Sequence, residues 1–452
     1  MKKYFGTDGV RGLANRFPIS PDFSLKLGLA SSKIIHSKEK NKKNIVIIGK
    51  DSRLSSDFLE SSFAAGCAAA GFEVYLLGIT TTPSVSYLTQ KLNASFGAMI
   101  SASHNPFYDN GIKLFSPEGI KIPDSWEEEI EETIDNNTFT YAKSSKIGKI
   151  HQKFELISLY EQRIKSELSS NKYLKNLKAV IDCANGSSYR IAGSVFANIF
   201  KEVIFINDSP NGININDKCG STHINTLIKT VKKEKADIGF AFDGDSDRIL
   251  LCSSKGDIID GDYILAILAK FMKKNGLLKN NTIVSTVMAN LGFLLAMKNN
   301  NINVVTSKVG DKYVYEDMIK YDSIIGGEQS GHIIFRNIIQ TGDGILTAIK
   351  ILDILEKEKK SLDKLSDIFK KFPQIITNIK VSNKEDFFDN TELIGKINTL
   401  SSSLDNTSRI LIRPSGTEPL IRIMVESKNE KELNLILDKA EQIIRKYMKV
   451  EE

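Results

Sequence analysis

The chain has 452 residues, 41% hydrophobic and 26% charged, which fits a soluble globular protein too long for one ordinary domain; length alone gives about three or four. No run reaches the roughly 18 apolar residues of a membrane span, and Gly6-Thr7-Asp8 stands where a signal peptide needs an apolar core, so no membrane partner is expected. The net charge of +6 reads as a lysine-rich solvated surface, with no basic run interleaved with aromatics; nucleic acid is not an expected partner, and small anionic substrates are compatible.

From the N-terminus, Gly6-Thr7-Asp8-Gly9-Val10-Arg11-Gly12 is glycine-rich but lacks the Gly-Lys-Thr of a P-loop, so it does not imply a nucleoside triphosphate. Arg11 is a candidate to neutralise a phosphate. A pattern then recurs three times: strand, small-residue helix, strand, helix, and a third strand ending in a polar loop. The first copy runs Ile45–Ile48, a helix with Ala64, Ala65, Ala68 and Ala69, then Val74–Leu77, then Phe96–Ile100 before Ser101-Ala102-Ser103-His104-Asn105-Pro106. The second has Ala179–Ile181, Val203–Ile206 and Ile238–Phe242 before Asp243-Gly244-Asp245-Ser246-Asp247-Arg248. The third has Ile283-Val284, Val304-Val305 and Ile324-Ile325 before Gly327-Glu328-Gln329-Ser330-Gly331-His332. β-Branched runs alternating with helices predict largely parallel, doubly covered sheets. Ligands of such sheets bind beyond the carboxyl ends of the strands, which is where all three polar loops fall. After Pro373 the pattern changes to strands at Ile375-Ile376, Ile379–Val381, Arg409–Arg413 and Ile421–Val425 and a helix from about Glu430 to Met448, an α+β module. The four cysteines, Cys67, Cys183, Cys219 and Cys252, include no Cys-x-x-Cys pair; neither zinc nor a disulfide framework is expected, and a reducing cytoplasm is.

Asp243, Asp245 and Asp247 alternate around Gly244, and like charges this close repel unless a cation sits among them. Oxygen ligands without histidine or cysteine favour Mg2+. The bidentate glutamate that closes an EF-hand loop is replaced by Ser254, so the readings are a magnesium site or a solvated acidic turn. Arg248 follows as a possible bidentate grip on a phosphoryl oxygen. No Gly-x-Ser-x-Gly elbow surrounds Ser103; we expect it to carry a phosphate whose oxygen completes the Mg2+ shell. His104 is adjacent to it, and neighbouring side chains rarely face each other. Lys113 reads either as a charge neutraliser at the transferring group or as a surface lysine. Glu328, Ser330 and His332 offer sugar-hydroxyl acceptors and a proton carrier, with a buried structural histidine as the competing reading of His332. Arg413-Pro414-Ser415-Gly416-Thr417 with Arg422 reads as an anion cradle, or as a type I turn punctuated by Pro414 and Gly416.

Five motifs, Phe5–Gly12, Ser101–Pro106, Asp243–Arg248, Gly327–His332 and Arg413–Glu418, stand in the order found in the α-D-phosphohexomutase superfamily, which the chain resembles over essentially its whole length. The resemblance implies an α/β protein: three similar mixed or parallel-sheet domains (1–152, 153–253, 254–368) and a C-terminal α+β domain (369–452) around a central cleft. It implies a phosphoserine at Ser103, needed for activity, and one Mg2+ held by it with Asp243, Asp245 and Asp247. Sugar contacts are implied at Glu328 and Ser330, and a substrate-phosphate site at Arg413, Ser415, Gly416, Thr417 and Arg422. Lys113, Arg248, His332 and Arg11 complete the expected catalytic set. Gln329, Cys219–His223 and Val309–Tyr313 resemble the glucosamine branch, which implies interconversion of glucosamine 6-phosphate and glucosamine 1-phosphate for cell-envelope precursors, by a cytoplasmic monomer or homodimer. A mannose or glucose phosphate mutase, a metal-dependent phosphatase and a non-catalytic sugar-phosphate sensor are the rival readings.

Overall fold

The computed structural model describes residues 2–39, 42–415 and 419–451. The chain divides into two compact units, Met1–Met288 with Ile302–Asp367, and Ala289–Asn301 with Ile368–Glu452. The first unit contains three sheets. One has seven strands: β1 (Phe5–Gly6), β2 (Gly9–Leu13), β3 (Lys43–Lys50), β4 (Glu73–Ile79), β5 (Ala94–Ile100), β6 (Asp109–Phe115) and β7 (Ile150–Gln152), in the order β1-β2-β6-β5-β3-β4-β7. The next is formed by β8 (Lys178–Asp182), β9 (Glu202–Ile206), β10 (Ile238–Phe242), β11 (Ile249–Ser253) and β12 (Ile258–Ile259), ordered β12-β11-β10-β8-β9. The last comprises β13 (Thr282–Thr286), β14 (Asn303–Ser307), β15 (Ile325–Gly327), β16 (Ile333–Phe335) and β17 (Ile339–Gly342), ordered β14-β13-β15-β16-β17.

The expected repeat is present as topology. In every sheet the first strand of the repeat has the second on one side and the third on the other, all parallel. A fourth, antiparallel strand then adds beyond the third. The third or first strand of each repeat is buried along its length, as in β5, β10 and β13, because helices cover both faces. That is why these segments read as unbroken apolar runs. The antiparallel return after each third strand is what makes the sheets mixed.

Two helices of the first repeat, Pro21–Lys38 and Ser56–Ala69, touch backbone to backbone. A Cβ at Gly66 would lie 2.2 Å from the Leu25 carbonyl oxygen, and one at Gly28 2.4 Å from that of Phe63. This close crossing lets both helices reach the core of Phe23, Leu27, Phe63 and Phe96.

In the second unit, β18 (Gln374–Lys380), β19 (Ser408–Pro414) and β20 (Leu420–Ser427) form an antiparallel sheet ordered β18-β20-β19. Helices Thr391–Ser402 and Glu430–Tyr447 pack on it. The second of these turns Leu433, Ile436, Ala440 and Ile444 to the core, a three-and-four spacing that places them on one stripe. The α+β expectation holds, with three corrections: the strands expected at Ile375-Ile376 and Ile379–Val381 are one, β18, and the helix Thr391–Ser402 and the short helical turn Asp386–Asp389 were not expected.

Gly66→Ala tests the helix crossing by the sign of its effect. In an unobstructed helix interior alanine gains about 1 kcal/mol over glycine; here the melting temperature should fall, because the added methyl meets backbone that cannot move aside. An increase on thermal denaturation would show that the two helices are not so closely apposed.

Candidate active site

The three polar loops of the repeats meet within the first unit. Ser103 follows β5 with φ of +53°, a left-handed conformation uncommon outside glycine and held only where its surroundings over-determine it. Here they do. The Ser103 amide donates to Ser101 Oγ at 2.8 Å, and Ser101 Oγ donates to Asp51 Oδ2 at 2.6 Å. Arg53, wholly buried and paired with Asp51 at 2.9 Å, donates to the carbonyls of Ser103, Asn105 and Pro106 at 2.8, 2.9 and 2.7 Å. Asn216 from the second repeat donates to the same Ser103 carbonyl at 2.9 Å. Gly244 packs so close that a Cβ there would stand 2.6 Å from this oxygen.

So placed, Ser103 Oγ donates to Asp243 Oδ2 at 2.7 Å. It also lies 3.3 Å from His104 Nδ1, which corrects the expectation that these neighbours face apart: the left-handed turn at Ser103 puts consecutive side chains on one side of the chain. Burial, with Arg248 and Arg11 nearby, lowers the His104 pKa to about 4 and keeps the ring neutral.

One oxygen from each of Asp243, Asp245 and Asp247 falls within 4.8 Å of the others. Lys113 is buried, not snorkelling: its Nζ is 2.7 Å from Asp245 Oδ2, 3.1 Å from Asp8 Oδ2 and 3.4 Å from Asp247 Oδ2. Thr82 Oγ1 donates to Asp245 Oδ2 at 2.6 Å. Burial raises the Asp243 pKa well above the carboxylate range, and Asp247 and Asp245 add to it. At Asp247 burial acts the same way, but Lys113, His332 and Arg248 outweigh it and hold the group well below that range. Asp245 Oδ1 and Asp247 Oδ1 are buried and accept no hydrogen bond. Buried carboxylate oxygens without donors, on hard ligands this close together, fit a divalent cation. The residues expected to hold the metal therefore form one cluster.

The third loop closes on the second. The Ile249 amide donates to the Gly331 carbonyl at 3.1 Å, and the Gly344 amide to that of Ser246 at 3.0 Å. His332 is buried, with Nδ1 3.7 Å from Asp247 Oδ2 and Nε2 3.7 Å from Asp311 Oδ2. The Gly342 amide donates to Nε2 at 3.0 Å, so the neutral ring carries its proton on Nδ1. Burial lowers the imidazole pKa, yet Asp247, Asp311 and Glu328 prevail and raise it; taking a second proton would cost the bond from Gly342. Glu328 Oε1 accepts from the Gly310 amide at 3.0 Å, and Oε2 from the Ser330 hydroxyl at 3.4 Å. Arg248, Glu328 and Ser330 line a cavity of about 500 Å³. Arg11 bonds Asp8, which also pairs with Lys113 and Lys121.

The expected anion cradle lies in the second unit. Arg413 and Arg422 are directly opposed on β19 and β20, and burial with the neighbouring Arg422 lowers the Arg413 pKa. Two guanidinium forks side by side have the geometry to share one anion. Ser415 donates its amide to the Leu420 carbonyl at 2.8 Å. Gly416 and Thr417 lie outside the described residues.

Sequence reasoning had not selected Asp8, Asp51, Arg53, Lys121 or Asp311. Asp51-Ser52-Arg53 did carry a signal, a polar run straight after the apolar strand β3. Asp311 stood within the quoted Val309–Tyr313 motif, but its pairing with Lys121 at 2.7 Å joins positions 190 residues apart.

Four family models match in chain order: phosphoglucomutase/phosphomannomutase alpha/beta/alpha domain I over residues 2–141, domain II over 158–256, domain III over 260–372 and the C-terminal domain over 376–443. A phosphoglucosamine mutase of Brevibacillus brevis is 42% identical over 99% of this chain and 100% of its own length. One of Clostridium botulinum strain Kyoto is 45% identical over 96% of this chain and 97% of its own. A phosphoglucomutase/phosphomannomutase family protein of Burkholderia thailandensis shares the fold with a TM-score of 0.83 at 21% identity, covering 99% of this chain and 98% of its own. The Aspergillus fumigatus N-acetylphosphoglucosamine mutase, solved with GlcNAc-6P and magnesium, does so at 0.67 and 17%, covering 99% and 96%. With all four family domains matched in order and full-length likeness to its bacterial members, this chain belongs to the phosphoglucomutase/phosphomannomutase family, in its phosphoglucosamine mutase branch.

Proposed function

We propose that the chain interconverts glucosamine 6-phosphate and glucosamine 1-phosphate by way of a phosphorylated Ser103 and a sugar bisphosphate. The observation that carries this reading is the Ser103 hydroxyl, held 2.7 Å from Asp243 at the edge of three clustered carboxylates. The segments 1–152, 153–253, 254–368 and 369–452 are its proposed domains, and the cytoplasm its proposed place of work, as a monomer or homodimer. Phosphoglucosamine mutases at 42–45% identity over nearly the full chain favour the amino sugar over a mannose or glucose phosphate.

In the forward half-reaction a sugar hydroxyl oxygen forms a bond to the phosphorus on Ser103 while the Ser103 Oγ–P bond breaks. The sugar proton passes to a nearby base, for which His332 is the candidate; Lys113, the other group expected for that role, is held charged by Asp245 and Asp8. The resulting bisphosphate turns, and its other phosphoryl group returns to Ser103 Oγ by the same exchange. Asp243, Asp245 and Asp247, with an oxygen of the phosphorylated serine, would hold Mg2+, which when bound neutralises phosphoryl charge as a Lewis acid. Arg248 and Arg11 bind phosphoryl oxygens. Lys113, locked between Asp245 and Asp8, keeps a positive charge at the site. Glu328 and Ser330 orient the sugar, and Arg413, Ser415, Gly416, Thr417 and Arg422 grip the phosphate that is not reacting. Phosphoryl transfer asks chiefly for positioning and charge neutralisation, which these groups provide.

With Mg2+ and catalytic bisphosphate, kcat/KM for glucosamine 6-phosphate should exceed that for mannose 6-phosphate and glucose 6-phosphate at least tenfold; a mannose preference would replace the substrate assignment, and release of free phosphate without isomer would point to a phosphatase. Intact mass should show one phosphate on part of the purified protein, mapping to Ser103, and Ser103→Ala should lose nearly all turnover. Phosphate found only at other residues sinks the covalent step. Mg2+ should raise the wild-type melting temperature relative to EDTA, since a ligand of the native state alone stabilises it. Asp243→Asn should abolish that increment without lowering the metal-free melting temperature, because this carboxyl is the least willing of the three to ionise and asparagine keeps an acceptor for Ser103 Oγ. An undiminished increment in the variant would place the metal elsewhere.

A further inference from the structure

Lys121 and Asp311 have no role in the proposed reaction, yet they complete a closed ring of alternating acidic and basic groups around it. Lys113 pairs with Asp8 at 3.1 Å, Asp8 with Lys121, and Lys121 with Asp311 at 2.7 Å. Asp311 then faces His332 Nε2 at 3.7 Å, His332 Nδ1 faces Asp247 at 3.7 Å, and Asp247 returns to Lys113 at 3.4 Å. All three repeats contribute. We propose that Lys121 is a positioning residue: by gripping Asp311 it fixes the segment Val309–Lys312, which holds Glu328 in place for the sugar. The inference rests on the reading of Glu328 as a sugar contact.

Lys121 stands on a backbone that is itself held. The chain turns back on β6 so that Lys121 bridges to Phe115, with the Ser116 amide donating to the Ile120 carbonyl at 2.7 Å and the Ile122 amide to that of Leu114 at 3.2 Å. From there its Nζ reaches both carboxylate oxygens of Asp311 at 2.7 Å, and neither side chain is more than 17% exposed. Breaking so buried a pair leaves an uncompensated charge. Asp311 opens the helix Asp311–Lys320, and its Oδ1 also accepts from the Lys312 amide at 2.8 Å. The residue before it, Gly310, has φ of +127°, a conformation that favours glycine, and its amide donates to Glu328 Oε1 at 3.0 Å. A second tie to the first repeat, Lys312 to Asp124 at 2.6 Å, is weaker because the Asp124 carboxylate is largely in water. The Lys121–Asp311 pair is thus the buried anchor of a segment whose next amide orients the Glu328 carboxylate.

The test is Lys121→Met, which keeps the apolar stem and removes the charge. KM for glucosamine 6-phosphate should rise about tenfold, the scale of one misplaced hydrogen bond to a charged group, with a smaller fall in kcat. Amide hydrogen exchange should quicken in peptides spanning Val309–Tyr313 and stay at the wild-type rate in those spanning β5 and the Asp243–Arg248 loop. Because Lys121 acts through Asp311, the double variant Lys121→Met/Asp311→Ala should lose no more kcat/KM than Asp311→Ala alone. An unchanged KM, exchange that quickens in all these segments alike, or losses that multiply in the double variant would each overturn the assignment. If the wild type prefers another hexose 6-phosphate, the glucosamine reading falls, and KM for that sugar decides Lys121. Should Lys121→Met not fold, Asp311→Asn, which weakens the same pair from its other side, is measured in its place.

Discussion

The packing of three carboxylates within 4.8 Å of one another is the constraint from which the rest of the site follows. Two unit charges about 4 Å apart at an effective dielectric near 20 interact by roughly 4 kcal/mol, so the cluster of Asp243, Asp245 and Asp247 survives only with positive charge around it. Lys113 supplies part of it, from a strand of the first sheet, and is itself locked by Asp8 on its far side. Arg248 supplies another part from the loop itself. Asp243 remains the group least willing to ionise, and it is the one that receives the Ser103 hydroxyl. The deficit in positive charge is thus located at the atom proposed to exchange a phosphoryl group, where a divalent cation would be most strongly held.

Positioning of Ser103 is the second condition. Its loop is not free to choose a conformation: Arg53 occupies the carbonyls of Ser103, Asn105 and Pro106, and the second repeat presses in with Asn216 and Gly244. A buried arginine bonded through all three of its nitrogens is costly to disturb, which suits a residue that holds a backbone still. The left-handed turn at Ser103 pays for itself by exposing Oγ to Asp243 and to His104 at once. For phosphoryl transfer, in which little covalent work falls to the protein, such rigidity serves the reaction directly.

Much of this was legible in the chain. The unbroken apolar runs at β5, β10 and β13 predicted strands covered on both faces, and the polar stretches after the third strands marked where a ligand would bind. Alternating aspartates around Gly244 marked a candidate metal site because repulsion at that spacing is a local property. Lys113 was ambiguous, since a lysine in an amphipathic strand looks the same whether its amine reaches water or a carboxylate. Asp8, Lys121 and Asp311 were invisible as a group, and Arg53 gave no sign that it would clamp a loop 50 residues away.

The sequence by itself determined the repeat, the order of the polar loops and the chemical character of each, because strand period, glycine placement and charge spacing act over a few residues. Only the tertiary structure decided that the serine loop of one sheet meets the aspartate loop of the next, and that Asp247 faces His332. These partners lie 140 and 85 positions apart along the chain, and no local preference reaches so far; their meeting depends on how whole sheets pack, a sum over many buried contacts.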